Sequence, residues 1–119
     1  MAAALETTAP AGLPEVVQRL VDHYQPLKVI PFGSYAWGEP HRDSDVDLFV
    51  VKESDESFLD RRRSALEALY DTGHVPFPVD VLVYTPGEIE WRLSLGDPFV
   101  GDILRRGRLL YDAARPGVV

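Results

Sequence analysis

Apolar residues recur at helical spacing over residues 14–24, where Val16, Val17, Leu20, Val21 and Tyr24 mark one face. Pro14 suits the first turn of that helix and Pro26 stops it. The pattern then shortens. "LKVIPFG" (27–33) predicts a strand whose Pro31 belongs at an edge or a strand end. Residues 34–38 predict a single helical turn and "EPHRDS" (39–44) a loop. "DVDLFVVK" (45–52) predicts a strand with a nearly continuous apolar second half, as when both faces are covered. Helical spacing returns over 57–70, with Phe58, Leu59, Arg62, Ala65, Leu66 and Leu69 on roughly one side.

After a punctuated loop (71–78), "VDVLVY" (79–84) predicts a third strand rich in β-branched residues. Thr85-Pro86-Gly87-Glu88 reads as an N-cap, a first-turn proline and a capping-box glutamate, opening a helix that ends near Gly96. Asp97-Pro98 repeats the device for a helix over 98–106, Gly107 closes it, and "RLLYD" (108–112) predicts a short last strand. Strands alternating with helices predict an α/β arrangement of sheet and covering helices. The pattern alone fixes neither strand order nor strand direction.

Composition narrows the class. A chain of 119 residues is expected to form one domain with a modest core, here over 13–113, with 1–12 and 114–119 as tails. No run approaches the roughly eighteen apolar residues a membrane span needs. The start, "MAAALETTAPAG", lacks a basic segment and is a poor signal peptide. No cysteine is present, so no disulfide or thiolate metal site is available, and a cytoplasmic location is expected. A net charge of −7 argues against holding a nucleic-acid backbone by bulk electrostatics. The run Arg61-Arg62-Arg63 is expected to be a solvated helix face. An acidic protein can still handle phosphates if divalent cations mediate the contact.

Three carboxylates raise that question. Asp45 and Asp47 lie two apart at the head of a strand, so their side chains are expected on one face. At about 5 Å and an effective dielectric near 20 they would repel by roughly 3 kcal/mol, a large part of a small domain's stability. Such a pair needs arginines, a raised pKa or a cation. Asp80, between Val79 and Val81 at the start of the next strand, is a third candidate. Oxygen-only ligands suit Mg²⁺ or Mn²⁺ rather than zinc. Two such ions would serve in-line displacement at a nucleotide phosphate. Gly33-Ser34 supplies the complement: a glycine that lets backbone approach a phosphate, and a hydroxyl donor. Asp43 is expected to cap or turn the loop; His23 and His74 have no partners at metal-ligand spacing; Tyr35, Trp37, Trp91 and Phe99 are expected to pack.

With Gly33, Ser34, Gly38, Ser44, Asp45, Asp47, Leu48 and the later Asp80, the sequence resembles the minimal nucleotidyltransferases (MNT domains) of the DNA polymerase β-like superfamily. "ILRRGRLLYD" (103–112) resembles the usual close of these domains, and the resemblance spans residues 14 to 112. It implies an α/β (α+β) nucleotidyltransferase fold, a small mixed sheet of about four strands covered by about four helices. It implies ATP or another NTP as substrate, Mg²⁺ or Mn²⁺ on Asp45, Asp47 and Asp80, and triphosphate on Gly33 and Ser34. Asp80 would also orient or deprotonate the attacking hydroxyl.

Many such domains pair with an all-helical HEPN toxin, so the implied role is antitoxin, by transfer of AMP from ATP to a tyrosine of that partner. Two alternatives stay open: a non-catalytic module of the same fold that neutralises by contact, and a small-molecule transferase of the aminoglycoside-modifying kind. The last requires an oligomer to close over a small acceptor. Homo- or hetero-oligomers are compatible with any of these. Tyr35 stands where the family often carries a basic residue, leaving Arg42, Lys52 or Arg61–Arg63 as candidates for that help.

Overall fold

A computed structural model of the chain describes residues 10–33 and 45–118. Helix α1 (Leu13–Tyr24) buries Leu13, Val16, Val17, Leu20 and Tyr24, the face set by the apolar spacing. It ends where Gln25 turns left-handed and its N–H bonds the Val21 carbonyl. Lys52 Nζ donates to the Tyr24 carbonyl at 2.6 Å and lies over the Tyr24 ring, satisfying a carbonyl the helix end leaves free. Strand β1 (Lys28–Phe32) follows, then β2 (Val46–Val51). Helix α2 (Phe58–Tyr70) starts at Ser57, whose hydroxyl accepts from the Asp60 N–H, and leads to β3 (Val79–Tyr84).

Helix α3 (Pro86–Ser94) opens on the predicted capping box: Thr85 Oγ1 accepts from the Glu88 N–H at 3.2 Å, and Glu88 Oε1 from the Thr85 N–H at 2.9 Å. Helix α4 (Pro98–Arg106) is capped by Asp97, and β4 (Tyr111–Asp112) and β5 (Arg115–Val118) complete the chain.

The sheet order is β3-β2-β1-β4-β5, with β2 and β3 parallel and the other pairs antiparallel. It is the mixed α+β sheet expected, with one addition. Residues 115–118, expected as part of a tail, form a fifth strand at the edge. Their sequence Arg-Pro-Gly-Val is poor in strand formers, which an edge position tolerates.

Of the two positions expected for Pro31, the strand end is the one found: β1 is central rather than an edge strand, and Pro31 is its last residue but one. The Leu110 N–H bonds the Val29 carbonyl, so the polar groups of Val29 face the β4 side. By the two-residue alternation those of Pro31 face the same side, beyond the end of the two-residue β4, and no ladder bond is lost.

Side chains alternate between two cores. Val46, Leu48, Val50, Val79, Val81 and Val83 pack under α1 and α2; Ile30, Phe49, Val51 and Tyr84 pack under α4 with Val100 and Ile103. Phe49 is fully buried and its ring stacks on Tyr84 at 4.9 Å.

The face of α2 differs from the expected one. It buries Arg61, Ala65 and Leu69, whereas Leu59 is 73% exposed. Arg61, only 4% exposed, donates to the Val83 carbonyl, the Glu56 carbonyl and Glu88 Oε1. It thus ties α2 to the outer strand β3 and to α3, and covers part of an open sheet edge.

Candidate active site

β1 ends where β2 and β3 begin, so three strand ends meet at one end of the sheet. Phe32 lies opposite Asp47 across the antiparallel pair, and Asp47 lies opposite Asp80 across the parallel one. Strand alternation puts Asp47 on the face of Phe49 and Val51, and Asp80 on that of Leu82 and Tyr84. Both carboxylates therefore stand on one face, about 5 Å apart in backbone spacing. Phe32 meets Phe99 of α4 edge-on beside them, at 5.5 Å between ring centroids.

Gly33 follows Phe32 with φ of 80°, a conformation that favours glycine. A Cβ built there would collide with Asp47 Oδ2. Glycine is thus demanded twice, by the backbone and by the carboxylate seated against it. Ser34, the other half of the predicted phosphate cradle, lies outside the described residues, as do Tyr35, Gly38, His41, Arg42 and Ser44. The predicted turn at 34–38 and loop at 39–44 lie there too.

Asp45 is exposed and stands one residue ahead of β2, not within it. Its charge still reaches Asp47. Burial raises the Asp47 pKa above the ordinary carboxylate range, and the charges of Asp80 and Asp45 push it further the same way. Among the described residues no donor or cation is bonded to the Asp47 carboxylate.

Asp80 is held differently. Its Oδ1 accepts from Arg62 Nε at 3.0 Å, from Arg62 Nη2 at 2.6 Å and from the Val81 N–H at 2.9 Å. The arginine run therefore splits three ways rather than forming one solvated face. Arg61 is buried, Arg62 grips Asp80, and Arg63 pairs with Asp60 on the surface. The spacing held a signal for the first, because 61, 65 and 69 form one four-residue stripe of α2. Nothing local in the sequence marked the second. Lys52 is engaged at the end of α1, at the far end of β2 from Asp47, and so is not placed to help at the site.

The donor set is suited to a hard divalent cation: oxygen only, crowded with negative charge, and with Asp47 unneutralised by the described residues. Among those residues, no three acidic or histidine side chains are gathered tightly enough to enclose an ion. The structure brings Asp47 and Asp80 side by side with Asp45 at the strand mouth, and Arg62 rather than a third carboxylate contacts Asp80.

A mixed sheet with a glycine closing one strand and facing aspartates on the next two is an arrangement suited to a phosphate beside a divalent cation. Comparison with known proteins agrees: the chain matches the nucleotidyltransferase domain family over residues 13–110 and belongs to it. A crystal structure from Sulfolobus solfataricus, of a protein assigned as a nucleotidyltransferase, superposes with a TM-score of 0.59 at 21% identity. The match covers 89% of this chain and 82% of that one and supports the fold. Among curated proteins none matches this sequence. No helix among the described residues is long and apolar enough to cross a membrane.

Proposed function

We propose that this chain is a divalent-cation-dependent nucleotidyltransferase that moves AMP from ATP to a tyrosine hydroxyl of a HEPN-type helical protein, and so acts as its antitoxin. The observation that carries the transferase reading is the in-register pair Asp47–Asp80, with Gly33 seated against the Asp47 carboxylate. The protein acceptor follows from the resemblance of the Gly33–Asp47 motif to the minimal nucleotidyltransferases.

Asp45 and Asp47 would hold Mg²⁺ or Mn²⁺, with Asp80 completing the set. Bound there, a divalent cation would supply charge neutralisation for the displacement at phosphorus. Gly33 and Ser34 receive the triphosphate, Gly33 because its bare α-carbon lets phosphate oxygens come close. Asp80 orients the acceptor hydroxyl and takes its proton. The acceptor oxygen bonds to the α-phosphorus, the bond to the bridging oxygen breaks, and pyrophosphate leaves.

The test is incubation with Mg²⁺, ATP labelled at the α-phosphate and the helical protein encoded beside this chain. Label is expected on that partner and is expected to vanish with Asp45→Ala. A tight complex without label would refute transfer and make the chain a contact antitoxin.

A further inference from the structure

We infer that Arg62 is the positioning residue of this site: it fixes Asp80 through one carboxylate oxygen and leaves the other as the oxygen available for chemistry. The inference rests on the nucleotidyltransferase reading above. Oδ1 of Asp80 accepts three donors, two from the Arg62 guanidinium at 3.0 and 2.6 Å and the Val81 N–H at 2.9 Å. Among the described residues no donor reaches Oδ2. Rotating the carboxylate would break all three bonds, so Asp80 presents Oδ2 alone to a cation or an acceptor hydroxyl.

The reach of Arg62 is set by a rigid element. Its neighbour Arg61 is buried and bonds the Val83 carbonyl at 3.2 Å, the Glu56 carbonyl at 2.7 Å and Glu88 at 2.6 Å. One arginine pins α2 against the edge of β3, and the next extends to the start of the same strand. Supports that lock a ligating side chain belong on such anchored helices rather than on loops. The Arg62–Asp80 pair is itself partly exposed, at 42% and 38%, so it contributes little to stability. Its consequence is orientation.

The sign of one measurement separates orientation from charge. A guanidinium beside a cation site repels the cation, so charge alone predicts tighter binding once it is removed. Positioning predicts weaker binding. Mn²⁺ is titrated by electron paramagnetic resonance with a non-hydrolysable ATP analogue present, for the wild type, Arg62→Ala and Arg62→Lys. Arg62→Ala is expected to weaken Mn²⁺ about 10-fold or more, within the roughly 10- to 100-fold usual for lost supports of a metal ligand. Arg62→Lys keeps the charge without the two-pronged grip and is expected to fall between. In the transfer assay kcat drops with the KM for ATP little changed. Affinity in Arg62→Ala equal to or tighter than wild type, with urea melts matching, overturns the inference and leaves the enzyme reading standing. A wild type that binds no Mn²⁺ under these conditions overturns both.

Discussion

Replacing Asp47 by asparagine is expected to make the metal-free protein more stable. The side chain keeps its shape and its seat against Gly33, so only the charge is lost. That charge stands in register with Asp80, near Asp45, and without a bonded cation among the described residues. Two unit charges about 5 Å apart repel by roughly 3 kcal/mol at an effective dielectric near 20, and by under about 1 kcal/mol in bulk water. Asp47 and Asp80 are both partly exposed, and Arg62 already offsets the charge of Asp80, so the value belongs toward the water end. We expect a gain of about 1 kcal/mol, or about 4 °C in Tm for a domain of this size.

The assay is a pair of thermal melts in chelator, repeated at several pH values. Because folding raises the Asp47 pKa, the penalty is full above the folded pKa and disappears as pH falls below it. The wild type should therefore gain on Asp47→Asn in acid until the two curves converge. Adding Mg²⁺ and ATP at neutral pH should reverse their order, since only the wild type then gains a ligand. A variant less stable than wild type in chelator, or a difference independent of pH, would refute the electrostatic reasoning.

Other changes probe the frame around the site. Gly33→Ala should cost about 2 kcal/mol or more in urea melts, because alanine is strained at φ of 80° and its Cβ meets Asp47; a change under about 0.5 kcal/mol would contradict this. Arg61→Ala should cost about 3 kcal/mol, leaving the Val83 and Glu56 carbonyls without their donor and Glu88 without its ion-pair partner. Burial opposes ionisation of Glu88, yet the Thr85 N–H and Arg61 together hold its pKa below the usual range. The stability it contributes is present above its unfolded pKa and fades as pH falls through the folded one, and Arg61→Ala should flatten that acid limb. Thr85→Ala should cost about 1 kcal/mol, read by the same melts.

What the sequence revealed was what is local. Thr85-Pro86-Gly87-Glu88 declares its helix start because all the bonding partners lie within four residues. Val79–Tyr84 declares a strand through its β-branched run. Asp47 and Asp80 were each readable as a carboxylate near the head of an apolar strand, which is local, whereas their facing positions rest on β2 and β3 being parallel neighbours. Roles that depend on strand order were not. Pro31 can sit in a central strand only because β4 stops short of it, and nothing near Pro31 encodes the length of β4. Arg61 and Arg62 are adjacent and chemically identical, yet one is buried and the other reaches Asp80, a division set by how α2 lies along the edge of β3. The strand at 115–118 carries a proline and a glycine, and it forms because β4 offers a partner through a tight turn, with Asp112 accepting from the Ala114 N–H.

The proposed function requires Asp45, Asp47 and Asp80 to form one site for a divalent cation and a nucleoside triphosphate. Calorimetric titration of ATP with Mg²⁺ onto the wild type and onto Asp45→Asn, Asp47→Asn and Asp80→Asn tests it most directly. Binding to the wild type that depends on Mg²⁺ and is lost or strongly weakened in all three variants is the predicted result. Binding that persists unchanged in the three variants, or in chelator, would contradict it.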